Sequence, residues 1–329
     1  MSNLRIITTK AVLLAFMAAS IACAADNVIS PTSVRIFNLV PDARSGALGG
    51  AYTALGDDAG CLNYNPAGLA QIDHCEIPAG QSQLFNKINQ YSAGLVYSLR
   101  DIRIDNFGDP GTLALTYNTF DQGYYPAGDE NRNFVSNPKV KGEVISAAYG
   151  ITVLDDEYAG AFRLGATAKM YKEELLGAEY NWHAYDAGFL WNASHFPLSF
   201  GASIQNANKD IHNPAREREL PQTERAGLSY GFFDKQLNVS ADCIKAISDD
   251  LRYAVGAEYN VVGPLILRGG YRSNDTNQNN LTAGVGLCLK QVDLYFIYAR
   301  EICLDYAYTS FLTQGDVQYC SVTIKLGAD

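Results

Sequence analysis

The chain has 329 residues, of which 47% are hydrophobic, 11% aromatic and 18% charged. This apolar fraction is enough to bury a core, so the composition excludes a disordered chain. The formal charge of -10 at pH 7 argues against a nucleic-acid-binding protein, because such proteins normally present a basic face.

The first 24 residues have the layout of a secretory signal peptide. Two basic residues precede an apolar run at 11–22, and small residues follow it. A charged start, a short apolar stretch and an Ala-x-Ala site are typical of a cleaved signal. We predict cleavage after Ala24 or Ala25 and export of the remaining chain. A membrane-anchoring helix, which needs about 20 apolar residues, and an acylated Cys23, which lacks a good lipobox, are the less favoured alternatives.

Residues 25–73 differ from the rest of the exported chain. Small residues dominate 42–72, no two-residue alternation is present, and Asn65-Pro66 indicates a turn that opens a short helix. Large side chains would clash with a surrounding wall, whereas small ones allow close packing. We therefore predict that residues 25–73 form a plug inside the structure built by the residues after them.

From about residue 75 onward, apolar and polar residues alternate. In 251–261, Leu, Tyr, Val and Ala side chains alternate with Arg, Gly, Glu and Asn, which is typical of half-buried β-strands. Soluble strands most often have about five or six residues, whereas a tilted strand needs about nine to eleven to cross a bilayer. Many of the predicted strands have the longer length. About fourteen strands are predicted, at 75–82, 89–100, 111–120, 143–153, 160–172, 182–192, 197–206, 222–233, 235–246, 251–262, 264–272, 280–290, 291–300 and 316–327.

The predicted connections alternate between long and short. Residues 121–142, 207–221, 273–279 and 301–315 are expected to be long polar loops, and 173–181 is a further expected connection. Phe233-Asp234-Lys235, Val262-Gly263-Pro264 and Lys290-Gln291 are expected to be tight turns. Outer-membrane barrels have short periplasmic turns, longer extracellular loops and an even number of strands. We therefore predict an all-β fold, a transmembrane antiparallel β-barrel of about 14 strands over residues 74–329; a soluble secreted β protein is the alternative.

The two faces of the strands should meet different surroundings. Because hydrocarbon cannot satisfy backbone or charged groups, the apolar face should touch lipid and the polar face should line the lumen. The predicted lumen charges are Arg163, Lys169, Glu258 and Arg268. The aromatic residues near strand ends, expected in interfacial girdles, are Tyr117, Tyr149, Tyr171, Trp182, Trp191, Tyr230, Tyr271 and Tyr298.

No catalytic or metal-binding pattern stands out. Gly227-Leu-Ser229-Tyr-Gly231 matches a hydrolase motif but lies in an alternating strand rather than at a strand-to-helix turn. We expect no enzyme activity, no metal and no cofactor, with a lipid-hydrolysing barrel as the alternative. Cys61 and Cys75 are the pair nearest in sequence and suggest a local disulfide, although fifteen connectivities are open to the six exported cysteines. These cysteines are Cys61, Cys75, Cys243, Cys288, Cys303 and Cys320.

The plug segment carries a recognisable pattern. Arg44-x-Gly46-x-x-Gly49-Gly50-Ala51, then Asp57-Asp58-Ala59 and Asn63-x-Asn65-Pro66-Ala67-Gly68, resembles the N-terminal signature of the PorV/PorQ (UPF0164) family. That family is related to FadL-type long-chain fatty-acid transporters. The resemblance covers about thirty residues and implies a fourteen-stranded outer-membrane barrel with an N-terminal plug. It assigns to the plug or its lumen anchor Arg44, Gly49, Gly50, Asp57, Asp58, Asn63, Asn65, Pro66 and Gly68.

The resemblance implies two functions. We favour a carrier or surface-protein partner in type IX secretion, because the motif is closer to PorV/PorQ. The alternative is FadL-like transport of hydrophobic molecules across the outer membrane. The expected location is the bacterial outer membrane, and the expected partners are outer-membrane lipid and either a secreted cargo protein or a hydrophobic small molecule. The sequence predicts no oligomeric state. The chain ends without the C-terminal aromatic residue of many outer-membrane barrels.

Overall fold

The structure, a computed structural model, describes residues 42–84, 88–101, 109–124, 127–128, 134–136, 139–175, 178–207, 222–246, 250–273, 279–293, 298–311 and 315–327. The predicted signal peptide and the first part of the predicted plug lie outside these residues. Within the described ranges, no helix has both the length and the apolar character needed to cross a bilayer.

A short helical segment precedes the strands. It contains helix α1 (Ala43–Ala47) and two 3-10 helices, Ala59–Asn63 and Pro66–Gln71. A third 3-10 turn, Leu99–Asp101, follows the second strand. The strands are β1 (Cys75–Leu84), β2 (Ile88–Ser98), β3 (Thr112–Tyr124), β4 (Ala127–Gly128), β5 (Phe134–Ser136), β6 (Lys139–Asp156), β7 (Gly160–Leu175), β8 (Ala178–Asn192), β9 (Leu198–Ala207), β10 (Thr223–Phe232), β11 (Leu237–Ala246), β12 (Arg252–Asn260), β13 (Leu265–Ser273), β14 (Asn279–Asp293), β15 (Tyr298–Phe311) and β16 (Gly315–Leu326).

Fourteen of the strands close into one antiparallel barrel. The hydrogen-bonded order is β1-β16-β15-β14-β13-β12-β11-β10-β9-β8-β7-β6-β3-β2, while β4 and β5 form a separate two-stranded sheet. The barrel closes between β1 and β16, whose register runs from Cys75↔Leu326 to Gln83↔Gln318. The predicted fold class is therefore confirmed. Closure leaves no free strand edge, which is what a sheet surrounded by hydrocarbon requires.

Alternation along the strands separates an apolar outer face from a buried inner face. On β12, Tyr253 and Val255 are 49% and 45% exposed, whereas Ala254 and Glu258 are 0% and 3% exposed. Successive strand residues point to opposite faces, so the same sorting repeats around the barrel. The outer face therefore carries leucine, valine and tyrosine side chains, and buried charges such as Glu258 face the lumen.

The two ends of the barrel are distinguished by their connections. We call the end with the connections 157–159, 193–197, 233–236 and 261–264 the turn end, and the opposite end the loop end. The loop end receives the long connections 125–138 and 208–222. The expected alternation of loop lengths is only partly right. The predicted loop 173–181 is wrong, because β7 continues to Leu175 and β8 begins at Ala178.

The last strands also differ from the prediction. The turn expected at Lys290-Gln291 is wrong, since β14 continues to Asp293 through Gln291, which has a φ of 55°. The loop expected at 301–315 is mostly strand β15. The misassignment arose because inward-facing acids such as Glu301 and Asp305 make this strand read as polar loop, although Ile302, Leu304 and Tyr306 keep the alternation.

Two smaller expectations are also corrected. Tyr171 and Trp182 are not girdle residues: their rings stack inside the lumen with centroids 5.9 Å apart, because they share the inward face of β7 and β8. Cys61 and Cys75 do not pair. The disulfide joins Cys288 and Cys303, which the β14–β15 register places directly opposite each other with Cα atoms 4.0 Å apart.

Candidate functional site in the barrel lumen

The described part of the predicted plug is built from three short helical turns, each with a side-chain cap. Asp42 accepts a hydrogen bond from the Ser45 amide at the start of α1. Asp58 caps the first 3-10 helix through the Gly60 amide. Asn65 caps the second through the Ala67 amide, with Pro66 at its first position. Such caps satisfy amides that short helices leave open, so these turns hold their shape inside the barrel.

Residues 42–74, which we call the plug segment, run once around the inner wall. Ala43 donates to Ser321 on β16, and Asn65 donates to the Phe189 carbonyl on β8. The carbonyl of Ile72 accepts from Thr112 on β3. The segment then continues directly into β1. Along its length it therefore contacts the wall strands in descending order, from β16 through β8 to β3.

Wall side chains hold the carbonyls of the plug segment in place. A buried carbonyl needs a donor, and here hydroxyl and amide groups on the inner face of the strands supply it. The donors lie on β9, β10, β11 and β14, so these hydrogen bonds anchor the plug segment at several points around the barrel. The pairs are Thr282 with Ala47, Ser240 with Ala51, Ser229 with Ala54, Ser203 with Tyr64 and Gln205 with Asn63.

Inward-facing glycines let the plug segment approach the wall backbone. At each of these positions, a Cβ would come within 3.0 Å of an atom of the plug segment. At Gly150 the clash would be with Leu69, and at Gly256 with Leu48. We call this set the glycine belt, and the close approach of the plug segment explains why no side chain is present at these positions. Its members are Gly150, Gly165, Gly188, Gly201, Gly256, Gly270 and Gly284.

Arg44 is the centre of an ion network that joins the plug segment to the wall. Its guanidinium donates to both oxygens of Glu258, at 2.9 and 3.0 Å. It also donates to Asp57 at 2.6 Å and to Asp58 at 2.7 Å. Arg268 donates to the same Glu258 at 2.6 Å and forms an ion pair with Asp305. The structure thus brings together five of the predicted site residues, Arg44, Asp57, Asp58, Glu258 and Arg268.

The network contains more carboxylates than guanidiniums, and this excess of negative charge affects the pKa of a plug-segment carboxyl group. Burial, followed by the repulsion of Asp58, raises the pKa of Asp42 to about 6. Burial alone would also raise the pKa of Asp58, but the contact with Arg44 holds that pKa below its usual value. Asp42 therefore titrates near neutral pH while Asp58 stays charged.

Two further wall acids anchor the plug segment and were not identified from the sequence. Asp242 on β11 accepts from the Tyr52 and Thr53 amides and from the Thr53 hydroxyl. Glu76 on β1 accepts from the Ala59 amide at 2.8 Å. The available signal was an acid on the inward face of an alternating strand, the same signal that singled out Glu258.

The other predicted plug residues act through their backbones. Gly49 and Gly50 have φ values of 66° and 80°, where a side chain would be strained, and Gly49 lies against the backbone of Tyr271. A Cβ at position 68 would collide with the Cys61 side chain, so this position requires glycine. Asn63 contributes only its carbonyl, the acceptor for Gln205.

Two predicted lumen charges lie away from the network. Arg163 is half-buried on β7 and donates to Asn192 near the turn end. Lys169 lies 2.6 Å from Asp186 and donates to Asn206, at a bulge where β9 has one more residue than β8. Ser229, the serine of the hydrolase-like motif, is buried beneath the plug segment and donates to it.

Toward the loop end, the inner wall turns apolar. One cluster on β1, β2, β3 and β16 packs against α1. A second, on β6, β7 and β8, consists of Val144, Tyr171 and Ala184 with Trp182. We call the first cluster, which also includes Ala307 on β15, the lumen patch; its wall members are Leu84, Ile88, Phe120, Ala307, Val317 and Tyr319.

Within the described residues, a single trio has ligand atoms close enough to hold a metal ion, namely Cys288, Glu301 and Cys303. Its two sulfur atoms are joined in the disulfide, and an oxidised pair offers no thiolate. The arrangement therefore supports no metal site there.

Comparisons with known proteins agree at the level of the fold. No protein-family model matches the chain, and no curated protein matches its sequence. The toluene transporter TodX of Pseudomonas putida is 12% identical, with a TM-score of 0.56 over 85% of this chain and 96% of that one. A FadL homologue of Pseudomonas aeruginosa is 11% identical, with a TM-score of 0.56 over 87% and 98%. A TodX deltaS2S3 mutant reaches 0.60 at 13% identity, over 87% and 98%. The chain therefore has the fold of FadL-like outer-membrane barrels.

Proposed function

We propose that the protein is an outer-membrane barrel that binds a hydrophobic small molecule in its lumen and releases it into the membrane. The lumen patch carries this proposal. Phe120, Ile88 and Leu84 point inward and pack beside α1 at the loop end. A water-filled channel has no need of such a surface, whereas sites for small hydrophobic ligands are lined mainly by apolar and aromatic side chains.

The outer wall offers a second apolar surface. A groove of about 690 Å³ lies on the lipid-facing side of β8 to β11, beside the β9 bulge. Its lining includes the apolar residues Ala187, Phe189, Ala202, Ile204 and Ala226, with the charged residues Glu224 and Lys245 toward the loop end. Release of a hydrophobic molecule sideways into the membrane fits this placement, because the plug segment occupies the direct path through the barrel.

The known proteins of similar fold also support the proposal of a hydrophobic ligand. One is described as a toluene transporter and a mutant of it as a monoaromatic hydrocarbon channel. Those descriptions belong to those proteins. For this chain they make a hydrophobic ligand the first class to test and favour a transporter over an enzyme.

Ligand binding to the purified barrel tests the proposal. In detergent, the fluorescence of the hydrophobic probe N-phenylnaphthylamine should rise on binding to the wild-type protein. Phe120→Ala removes an aromatic ring from the lumen patch and should weaken binding about tenfold. Leu115→Ala is the matched control, because Leu115 lies on the outer face of the same strand and is 55% exposed. Equal affinity in both variants, or no binding at all, would contradict the proposal.

A role in type IX secretion is the second candidate, favoured by the order and spacing of the motif from Arg44 to Gly68. In this function the barrel would accept an exported cargo protein at its loop end. Deleting the gene should then leave surface proteins in the periplasm, while membrane composition stays normal. A genome without type IX sorting domains or translocon proteins would contradict this function and leave ligand transport standing.

A further inference from the structure

Two arginines approach the plug segment from the loop end and converge on one glycine. Arg225 on β10 donates to the Gly50 carbonyl at 3.4 Å, and its guanidinium lies 4.9 Å from the centre of the Tyr64 ring. Arg272 on β13 comes from the other side: a Cβ on Gly50 would lie 2.9 Å from its Nη2 atom. Both guanidiniums thus lie against the same residue of the plug segment, Gly50.

The positive charge at this point is not balanced by the residues that the structure describes. Asp242 is the carboxylate paired with Arg225, at 3.9 Å, and its Oδ2 atom also accepts three hydrogen bonds from Tyr52 and Thr53. The Arg225 Nε atom donates to the neutral Gln205. Asp242 therefore offers one negative charge against the two guanidiniums. The Arg225 side chain is only 8% exposed. Arg272 forms no ion pair with any described residue, and its Nε atom is buried without a hydrogen-bond partner.

A buried amide beside Arg272 is also unsatisfied. Asn280 on β14 is the register partner of Arg272, is 1% exposed and faces the lumen. Neither its Nδ2 nor its Oδ1 atom has a partner among the described residues. Buried polar side chains in native proteins nearly always find one, so a group that both donates and accepts is missing here.

We propose that Arg225, Arg272 and Asn280 bind the phosphoryl group of an anionic ligand. Two arginines suit the charge of a phosphate ester, and their planar donors match its oxygens. A carboxylate offers acceptors alone and would leave Asn280 Oδ1 unsatisfied. A singly protonated phosphate offers acceptors to the arginines and to Asn280 Nδ2, and its P–OH group donates to Asn280 Oδ1.

The site lies on the loop side of the glycine belt, because Arg272 and Asn280 flank the connection 274–278. A ligand entering from the loop end would reach it before it met the plug segment. The inference goes beyond the proposed function and does not rest on it. Phosphate binding without passage of a hydrophobic probe, or the reverse, would separate the two.

Titration of the full-length protein in a phosphate-free, non-ionic detergent tests the inference. Inorganic phosphate is one probe, and lysophosphatidic acid in mixed micelles is the other; acetate and decanoate serve as carboxylate counterparts. Calorimetry should detect binding of at least one phosphate probe, and each carboxylate should bind at least about tenfold more weakly. Binding of inorganic phosphate would identify a free-phosphate site, and binding of lysophosphatidic acid alone would identify a lipid headgroup site.

Two variants and a control make the result specific. Arg272→Gln and Asn280→Leu should each weaken binding of the phosphate probe by about tenfold or more, because each removes a donor to a charged group. Arg163→Gln removes the same charge from the lumen near the turn end and should leave the affinity unchanged. Unaltered sodium dodecyl sulfate resistance of each variant checks that it is folded. Absence of binding by both phosphate probes, equal loss in all three variants, or carboxylate binding as tight as phosphate binding would overturn the proposal.

Discussion

Arg44 connects two acids of the plug segment, Asp57 and Asp58, to Glu258 on the wall. Removing its charge would deprive Asp58 of the guanidinium that contacts it and would leave Glu258 with Arg268 alone; both carboxylates are largely buried. Loss of one partner from a buried ion pair costs about 3–5 kcal/mol. We expect Arg44→Gln to lower the free energy of unfolding by this amount, measured by urea denaturation through the fluorescence of Trp182 and Trp191.

A double variant distinguishes the loss of the ion network from a nonspecific loss of stability. Adding Glu258→Gln to Arg44→Gln removes one of the carboxylates that Arg44 contacts, so the loss in the double variant should be smaller than the sum of the two single losses. Arg163→Gln, outside the network, should have a small effect. Strict additivity of the two single losses would show that the network is not coupled as the distances indicate.

Asp42 gives the plug segment a defined pH dependence. Its pKa of about 6 lies above the usual 3.8, so the folded state binds the proton more tightly than the unfolded state. The stability contributed by this proton is complete at about pH 4, falls as the pH rises and is lost above about pH 6. Asn accepts the capping hydrogen bond equally well and carries no charge.

We therefore expect Asp42→Asn to raise the free energy of unfolding by on the order of 2 kcal/mol at about pH 8, and by little at about pH 4. Urea denaturation at the two pH values measures the difference. A variant that is destabilised equally at both would mean that the carboxylate is needed for capping and does not titrate in this range.

At the scale of elements, the glycine belt sets how the strands and the plug segment fit. A methyl group on Gly188 would collide with the Asn65 side chain that caps the second 3-10 helix. We expect Gly188→Ala to displace the plug segment while the barrel stays closed. Cys61 reports the displacement, because its side chain is fully buried in the seated plug and should react with maleimide only when exposed.

The labelling is done with the other reduced cysteines replaced by serine. Gly269→Ala is the matched control, since its methyl group would meet only the Thr282 carbonyl, at 3.9 Å. Cys61 should remain unreactive in that variant and become reactive in Gly188→Ala. Equal protection of Cys61 from maleimide in both variants would contradict this expectation. It would show that the wall adjusts to the methyl group at position 188 and that the glycine belt is not needed to hold the plug segment in place.

Much of this architecture was predictable from alternation alone. The fourteen-stranded barrel and the opposite surroundings of Val255 and Glu258 follow from a two-residue period. β15 was misread because a lumen rich in acids makes a wall strand resemble a loop. The sequence could not pair Arg44 with Glu258, because that contact depends on how the plug segment lies within the closed barrel. The inward glycines were visible on the strands, but their purpose appears only with the plug segment in place.

At the scale of the whole molecule, closure makes a simple prediction. Every neighbouring pair of barrel strands is hydrogen-bonded, so opening the barrel requires many bonds to break together. The unheated protein should resist sodium dodecyl sulfate and migrate differently from the heated one on a gel, and it should sediment with the outer membrane. A water-soluble product with no change in mobility would contradict a membrane barrel.

The circuit of the plug segment also limits how this barrel can change. One stretch of chain touches β16 at its beginning, reaches β3 near its end and then becomes β1. Outer-membrane barrels differ in size by whole hairpins. An added hairpin would widen the perimeter, and the same stretch of chain could no longer span it and keep both contacts. We therefore expect that the number of barrel strands and the length of the plug segment change only together in proteins that evolve from this one.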